Sequence, residues 1–205
     1  MTLLLTSNQN TRAQNNMRSG MSYIGVAAGI GNSWVDNLPG TSTYKTAGYV
    51  GVGYIHMITN HWGLGGQAAI AFEGYRVEYL NSMQTFTPMY FRLPMRGYYV
   101  FGRPNDIIRP DVYLGPSVGM KLAEHNATTN NYNDLYMVSN SNNFRMFDIG
   151  VDGGAGIDIQ LAKNALLNLD IGFYSGFTDA VKDLHETYNP QHDVDFNVSL
   201  IFGIR

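Results

Sequence analysis

Residues 90–122 read YFRLPMRGYYVFGRPNDIIRPDVYLGPSVGMKL. Both flanks of this stretch alternate with period two, as strands do. Phe91, Leu93, Met95, Tyr99 and Phe101 share one face of the first flank, against Arg92, Pro94, Arg96 and Tyr98. In the second flank Val112, Leu114, Val118, Met120 and Leu122 oppose Asp111, Tyr113, Gly115, Ser117 and Lys121. Each flank is about eleven residues or longer, about twice the usual strand of a soluble domain. Long strands with one apolar face, one charged face and a short turn between them predict a hairpin that crosses a membrane.

The pattern recurs on both sides of the hairpin. Ile24, Val26, Ala28 and Ile30 alternate with Tyr23, Gly25, Ala27 and Gly29. Further strands are predicted over about 44–57 and about 62–79, the latter with Leu64, Ala68, Ile70 and Phe72 opposite Gln67, Ala69, Ala71 and Glu73. Phe147, Ile149, Val151, Ala155 and Ile157 oppose Asp148, Asp152 and Asp158, and Leu167, Leu169, Ile171 and Phe173 oppose Asn168, Asp170 and Tyr174. The last strand sets Val194, Phe196, Val198, Leu200, Phe202 and Ile204 against Asp195, Asn197 and Ser199. Between these runs lie a modest loop over 81–85, an Asn-dense loop over 125–143 and a loop over about 179–191. Eight strands with long loops on one rim and tight turns on the other predict an antiparallel up-and-down transmembrane β-barrel, closed so that no edge meets lipid.

Composition agrees. Charged residues are 14% of the 205, against about 25% in soluble domains. Aromatics are 13%, with 14 Tyr, and there are 23 Gly. Cysteine is absent, which excludes disulfide scaffolds and thiol sites. A net charge of −3 offers nothing to a nucleic acid. No run of eighteen apolar residues exists, which excludes a transmembrane helix and leaves a barrel untouched.

The chain divides in two. Residues 1–13, with Leu3-Leu4-Leu5 and then Thr11-Arg12-Ala13, resemble the tail of a secretory signal peptide, cleaved before Gln14. Residues 14–205 form the barrel.

Orientation follows from cost. An Arg or Lys facing mid-bilayer costs about 2–4 kcal/mol. The charged face, rich in Gly, therefore turns to the lumen, which in an eight-stranded barrel side chains just fill. Tyr44, Tyr54, Tyr79, Tyr90, Phe91, Tyr99, Phe101, Phe144 and Phe173, near strand ends, are expected to form aromatic girdles. Glu73, Arg92, Arg96, Lys121, Asp148, Asp152, Asp170 and Asp195 are expected to form a lumen ion-pair network, with Glu73 near Arg92 and Lys121 near Asp148. Pro94 and Pro116 cannot donate to a ladder, so a bulge or missing ladder bonds are expected at both.

FRLPMRGYYVFG, RPDVYLGPSVGMKL and FDIGVDGGAGIDI resemble the PorT-like outer-membrane β-barrel family of Bacteroidota, over about residues 20–205. The resemblance implies an outer-membrane location and structural roles for Pro94, Gly115 and Pro116. It also implies an accessory role, since the family's namesake supports a protein secretion system. One departure is the ending Phe202-Gly203-Ile204-Arg205, where such barrels usually carry Phe or Trp last.

The functional expectation is a structural, adhesion or accessory component with a plugged polar lumen, possessing neither catalytic residues, metal nor cofactor. Outer-membrane lipid or lipopolysaccharide and other envelope proteins are the expected partners. Two alternatives stand beside it. One is a lipid-modifying outer-membrane enzyme using His125, His185 or His192 with Asp183, Glu186 or Asp193. The other is a soluble lipocalin-like barrel, which the same strands would make if the aliphatic rows faced inward.

Overall fold

The computed structural model describes residues 18–38, 41–79, 82–130, 135–138, 144–182 and 188–204. The described strands are β1 (Ser22–Val35), β2 (Thr41–Thr43), β3 (Lys45–Met57), β4 (Trp62–Phe72), β5 (Tyr75–Tyr79), β6 (Ser82–Val100), β7 (Ile108–Asn130), β8 (Leu135–Val138), β9 (Phe147–Ala162), β10 (Ala165–Gly176) and β11 (Gln191–Ile204). Eight of them close a ring in the order β1-β3-β4-β6-β7-β9-β10-β11, and β11 returns to β1. Every pairing is antiparallel. The proposed leader, residues 1–13, lies outside the described residues.

The strand ends at Ser22 and Ile204 face each other. On their rim lie the short connections 58–61, 101–107 and 163–164. By the rule for such barrels this is the periplasmic rim. The opposite rim is built up by a ribbon: β2, β5 and β8 flank the outer ends of β6 and β7 in the order β2-β5-β6-β7-β8. β7 has 23 residues, about twice the nine to eleven that cross a bilayer.

The sheet is turned as the charge argument requires. Leu114 is 65% exposed, Ile149 47% and Phe196 51%, and Val118 lies on the same face. Arg92, Asp148, Arg96 and Asp152 lie inside. The reading as a soluble barrel with an aliphatic interior therefore fails.

Several predicted details are corrected. Residues 125–130 belong to β7 and 135–138 form β8, where a polar loop is predicted; 82–85 begin β6 rather than a loop. Above the membrane both faces of a sheet meet water, so these segments pair through their backbones without the alternation that marks a spanning strand. The strand predicted over 62–79 is broken at Glu73-Gly74. Gly74 has φ +126°, and a Cβ there would press on the Phe86 carbonyl and the Pro88 ring. Tyr90 and Phe144 are completely buried and belong to no girdle.

At the prolines the ladder is interrupted without a bulge. The β4–β6 pairs skip residues 67–68 opposite 93–94, and the β6–β7 pairs skip 95–96 opposite 115–116, with register kept on both sides. The register shifts lie at Met89/Tyr90 and Ala165/Leu166 instead. A missing N–H removes a bond but adds no residue, so nothing forces the strands to slip.

Candidate functional site: a layered lumen

The interior is stratified along the barrel axis. At the periplasmic end Tyr23, Ile55, Met57, Val100, Leu166 and Ile201 pack into an apolar cluster. At the outer end Val35, Tyr75, Val77, Phe144, Ala180 and Val181 form another. The strand residues among these keep the inward parity of the charged ones, so alternation places them in the lumen, where chemistry alone suggests a wholly polar interior; Phe144, Ala180 and Val181 lie outside the named strands and pack onto the outer cluster from the connecting segments. The polar network lies between the two clusters.

Its outer part centres on Arg92 of β6. The guanidinium grips both carboxylate oxygens of Glu73, and its Nη2 also donates to Asp148 Oδ2 at 2.8 Å. Its Cζ stands 4.0 Å from the centre of the Tyr174 ring. The Tyr174 hydroxyl donates to Asp148 Oδ2 at 2.7 Å and the Thr178 hydroxyl to Asp148 Oδ1 at 2.8 Å. The Gln191 amide donates to Glu73. A buried pair of this kind holds only when its remaining lone pairs are satisfied, and here phenol, hydroxyl and amide donors do so.

The middle part centres on Arg96, four residues and two inward positions further along β6. It clasps Asp152, donates from Nη1 to Gln67 Oε1 at 3.0 Å, and lies with Cζ 4.5 Å from the Tyr113 ring centre. Tyr113 in turn donates to Asp170 Oδ1 at 2.7 Å, which also accepts from Asn197 at 2.8 Å. Towards the periplasm a single Asn168 amide nitrogen serves Asp111 and Asp158, each at 3.0 Å.

Of the eight residues expected in the network, the structure groups Glu73, Arg92 and Asp148 together, Arg96 with Asp152, and Asp170 with Tyr113. Lys121 is separate: its Nζ donates to Glu124 at 2.8 Å and to the Phe144 carbonyl at 2.7 Å. Register puts Asp148 opposite Gly119, one inward position away from Lys121, and Asp148 is already taken by Arg92. Asp195 sits half-buried in the wall of a cavity beside Asp193. Sequence reasoning left out Tyr113, Tyr174, Gln67, Asn168, Gln191, Asp111 and Asp158 as network members. Their inward parity was the available signal for most. The sequence sets Asp193 beside His192 as a rim residue, whereas β11 begins at Gln191 and turns Asp193 inward, 4% exposed.

Cavities of about 60 Å³ and about 50 Å³ lie against the network, and Tyr49, Gln67 and Arg96 line both. Among the described rim histidines, His125 is exposed and His192 Nε2 lies 3.2 Å from Asp36, between the Trp34 and Phe173 rings. His185, Asp183 and Glu186 lie outside the described residues.

Comparison with known proteins agrees with this geometry. The model of a family described as "Outer membrane protein beta-barrel domain" matches residues 10–182. The crystal structure of the outer membrane protein OprG from Pseudomonas aeruginosa is similar with a TM-score of 0.55 and 16% identity, over 94% of this chain and 99% of that one. Neisserial surface protein A is similar with a TM-score of 0.51 and 10% identity, over 87% of this chain and 96% of that one. At such identities the likeness is one of fold. No curated protein matches the chain.

Proposed function

The chain belongs to the outer membrane protein β-barrel domain family and resides in the outer membrane, and from that premise we propose that it is a non-catalytic envelope component whose barrel is a plugged anchor for an exposed β-ribbon. The observation that carries this reading is the Arg92 and Arg96 network set between two apolar clusters. A water-filled pore needs a continuous polar path, and apolar layers of buried side chains at both ends oppose one.

Within the family we place the chain with the PorT-like barrels, on the Pro94 and Gly115-Pro116 strand motifs. Its role is then accessory: the ribbon offers an envelope or secretion complex, or an adhesion partner, a docking sheet above the lipid, while lipopolysaccharide surrounds the barrel. What supports a protein-facing role is the length of β6 and β7 beyond the bilayer and the flanking β2, β5 and β8, structure that a lipid anchor does not need.

The test of the plug is conductance. The full chain reconstituted in planar bilayers is expected to give no steady open-pore current in molar salt; a stable ohmic current overturns the reading. A photo-cross-linking residue placed at exposed His125 in intact cells is expected to capture an envelope protein.

A further inference from the structure

Arg76 of β5 is a cation without an anion. Tyr75 and Val77 on either side of it pack into the outer apolar cluster, so strand alternation turns Arg76 to the outside of the ribbon. The residue is half-buried, and its Nε is shut off from solvent with no hydrogen-bond partner. Among the described residues its side chain makes neither an ion pair nor a hydrogen bond. Glu78, two residues further from the lipid on the same face, is exposed and does not close on it. A guanidinium half withdrawn from water without an acceptor is costly, and its N–H groups present an open fork.

Register sets a hydroxyl on each side of that fork. Thr43 of β2 and Thr85 of β6 are its directly opposite cross-strand neighbours, both half-buried. Such neighbours share a face, with Cβ atoms about 4.5–5.5 Å apart. The row Thr43-Arg76-Thr85 lies just outside the apolar belt. Thr43 precedes Tyr44, which is 65% exposed and meets Trp34 edge-on with ring centres 5.3 Å apart. Phe72, 45% exposed, ends β4 opposite Met89, and Thr85 stands four residues beyond Met89 along β6. At about 3.3 Å per residue and a tilt of about 40°, the row is about 10 Å outside Phe72. An arginine stem reaches back over part of that distance. Exposed aromatic side chains mark the headgroup level, so the fork serves the layer where lipid phosphates lie.

We propose that Arg76, Thr43 and Thr85 bind a phosphate group of an outer-leaflet glycolipid. Chemistry selects the class. A phosphate brings negative charge and several acceptor oxygens to a planar fork, which meets two of them with parallel N–H donors. The two threonine hydroxyls then donate to oxygens the fork leaves over, where a carboxylate has only the two oxygens that the fork itself takes. The inference rests on the reading that lipopolysaccharide surrounds the barrel. Its test compares one lipid with and without phosphate and reads neither current nor cross-linking. A lipid that binds regardless of Arg76 therefore strikes this site and leaves that reading standing.

The experiment uses the full chain refolded in a phosphate-free maltoside detergent, with lipid adducts counted by native mass spectrometry and Tm followed in parallel. Phosphorylated lipid A is expected to bind about tenfold more tightly than lipid A stripped of its phosphates, and to raise Tm by about 3 °C or more. Inorganic phosphate at tenfold excess over the lipid is expected to displace little of it. Arg76→Gln is expected to bring the phosphorylated lipid down to the level of the stripped one and to leave the stripped one unchanged. Thr85→Val, which keeps the charge and suits a strand, is expected to weaken the phosphorylated lipid about twofold or more, and it carries the test if the glutamine variant does not refold. Equal binding of the two lipids, full displacement by inorganic phosphate, or an unchanged preference for the phosphorylated lipid in the refolded variants overturns the proposal.

Discussion

Arg92 shows how a single side chain is read and misread. Its parity on β6 puts it in the lumen, and the hairpin register brings Glu73 to it. Parity does not say that Asp148 arrives from the other side, or that Tyr174 lies beneath the guanidinium. Lys121 is the counter-example: it has the right parity and a carboxylate near in register, yet Glu124 on its own strand reaches it first. Partner choice depends on rotamer and on competition among neighbours. Removing Arg92 strands two buried carboxylates. Arg92→Ala is therefore expected to cost about 3–5 kcal/mol in urea unfolding from lipid vesicles. Arg92→Lys is expected to recover only part of this, because an ammonium cannot make the paired contacts of the planar fork. A loss under about 1 kcal/mol for Arg92→Ala would show the network to be dispensable.

At the scale of elements, membrane strands were legible and extramembrane ones were not. Lipid on one side and packed polar groups on the other impose strict alternation, and β1, β3, β4, β6, β7 and β9 to β11 show it in their spanning parts. Once β6 and β7 rise above the bilayer that constraint ends, and His125 to Asn130 reads as loop while pairing as strand. Gly74 marks the transition on the β4–β5 side, where the chain breaks to turn Glu73 inward and start the ribbon. Its backbone conformation suits glycine alone. Gly74→Ala is expected to lower stability by about 1–3 kcal/mol, read as a fall in the urea midpoint with an unchanged slope. Full stability would mean that the break tolerates a side chain.

For the whole molecule the decisive property is which way the sheet faces. Leu114→Arg places a cation at one of the most exposed positions of the apolar belt. In vesicles it is expected to cost about 2–4 kcal/mol; a neutral effect would contradict a lipid-facing Leu114. The sequence by itself determined the eight barrel strands, the closed antiparallel barrel and the face taken by the residues of their spanning parts, because a bilayer on one side and a narrow lumen on the other allow only one assignment of a period-two pattern. The tertiary structure decided how the inward residues sort along the axis: apolar at both ends, ion-paired between, with Asp193 and Asp195 left facing a cavity. Height in the barrel depends on strand stagger and on how each extramembrane segment pairs, and neither leaves a periodic mark on the chain.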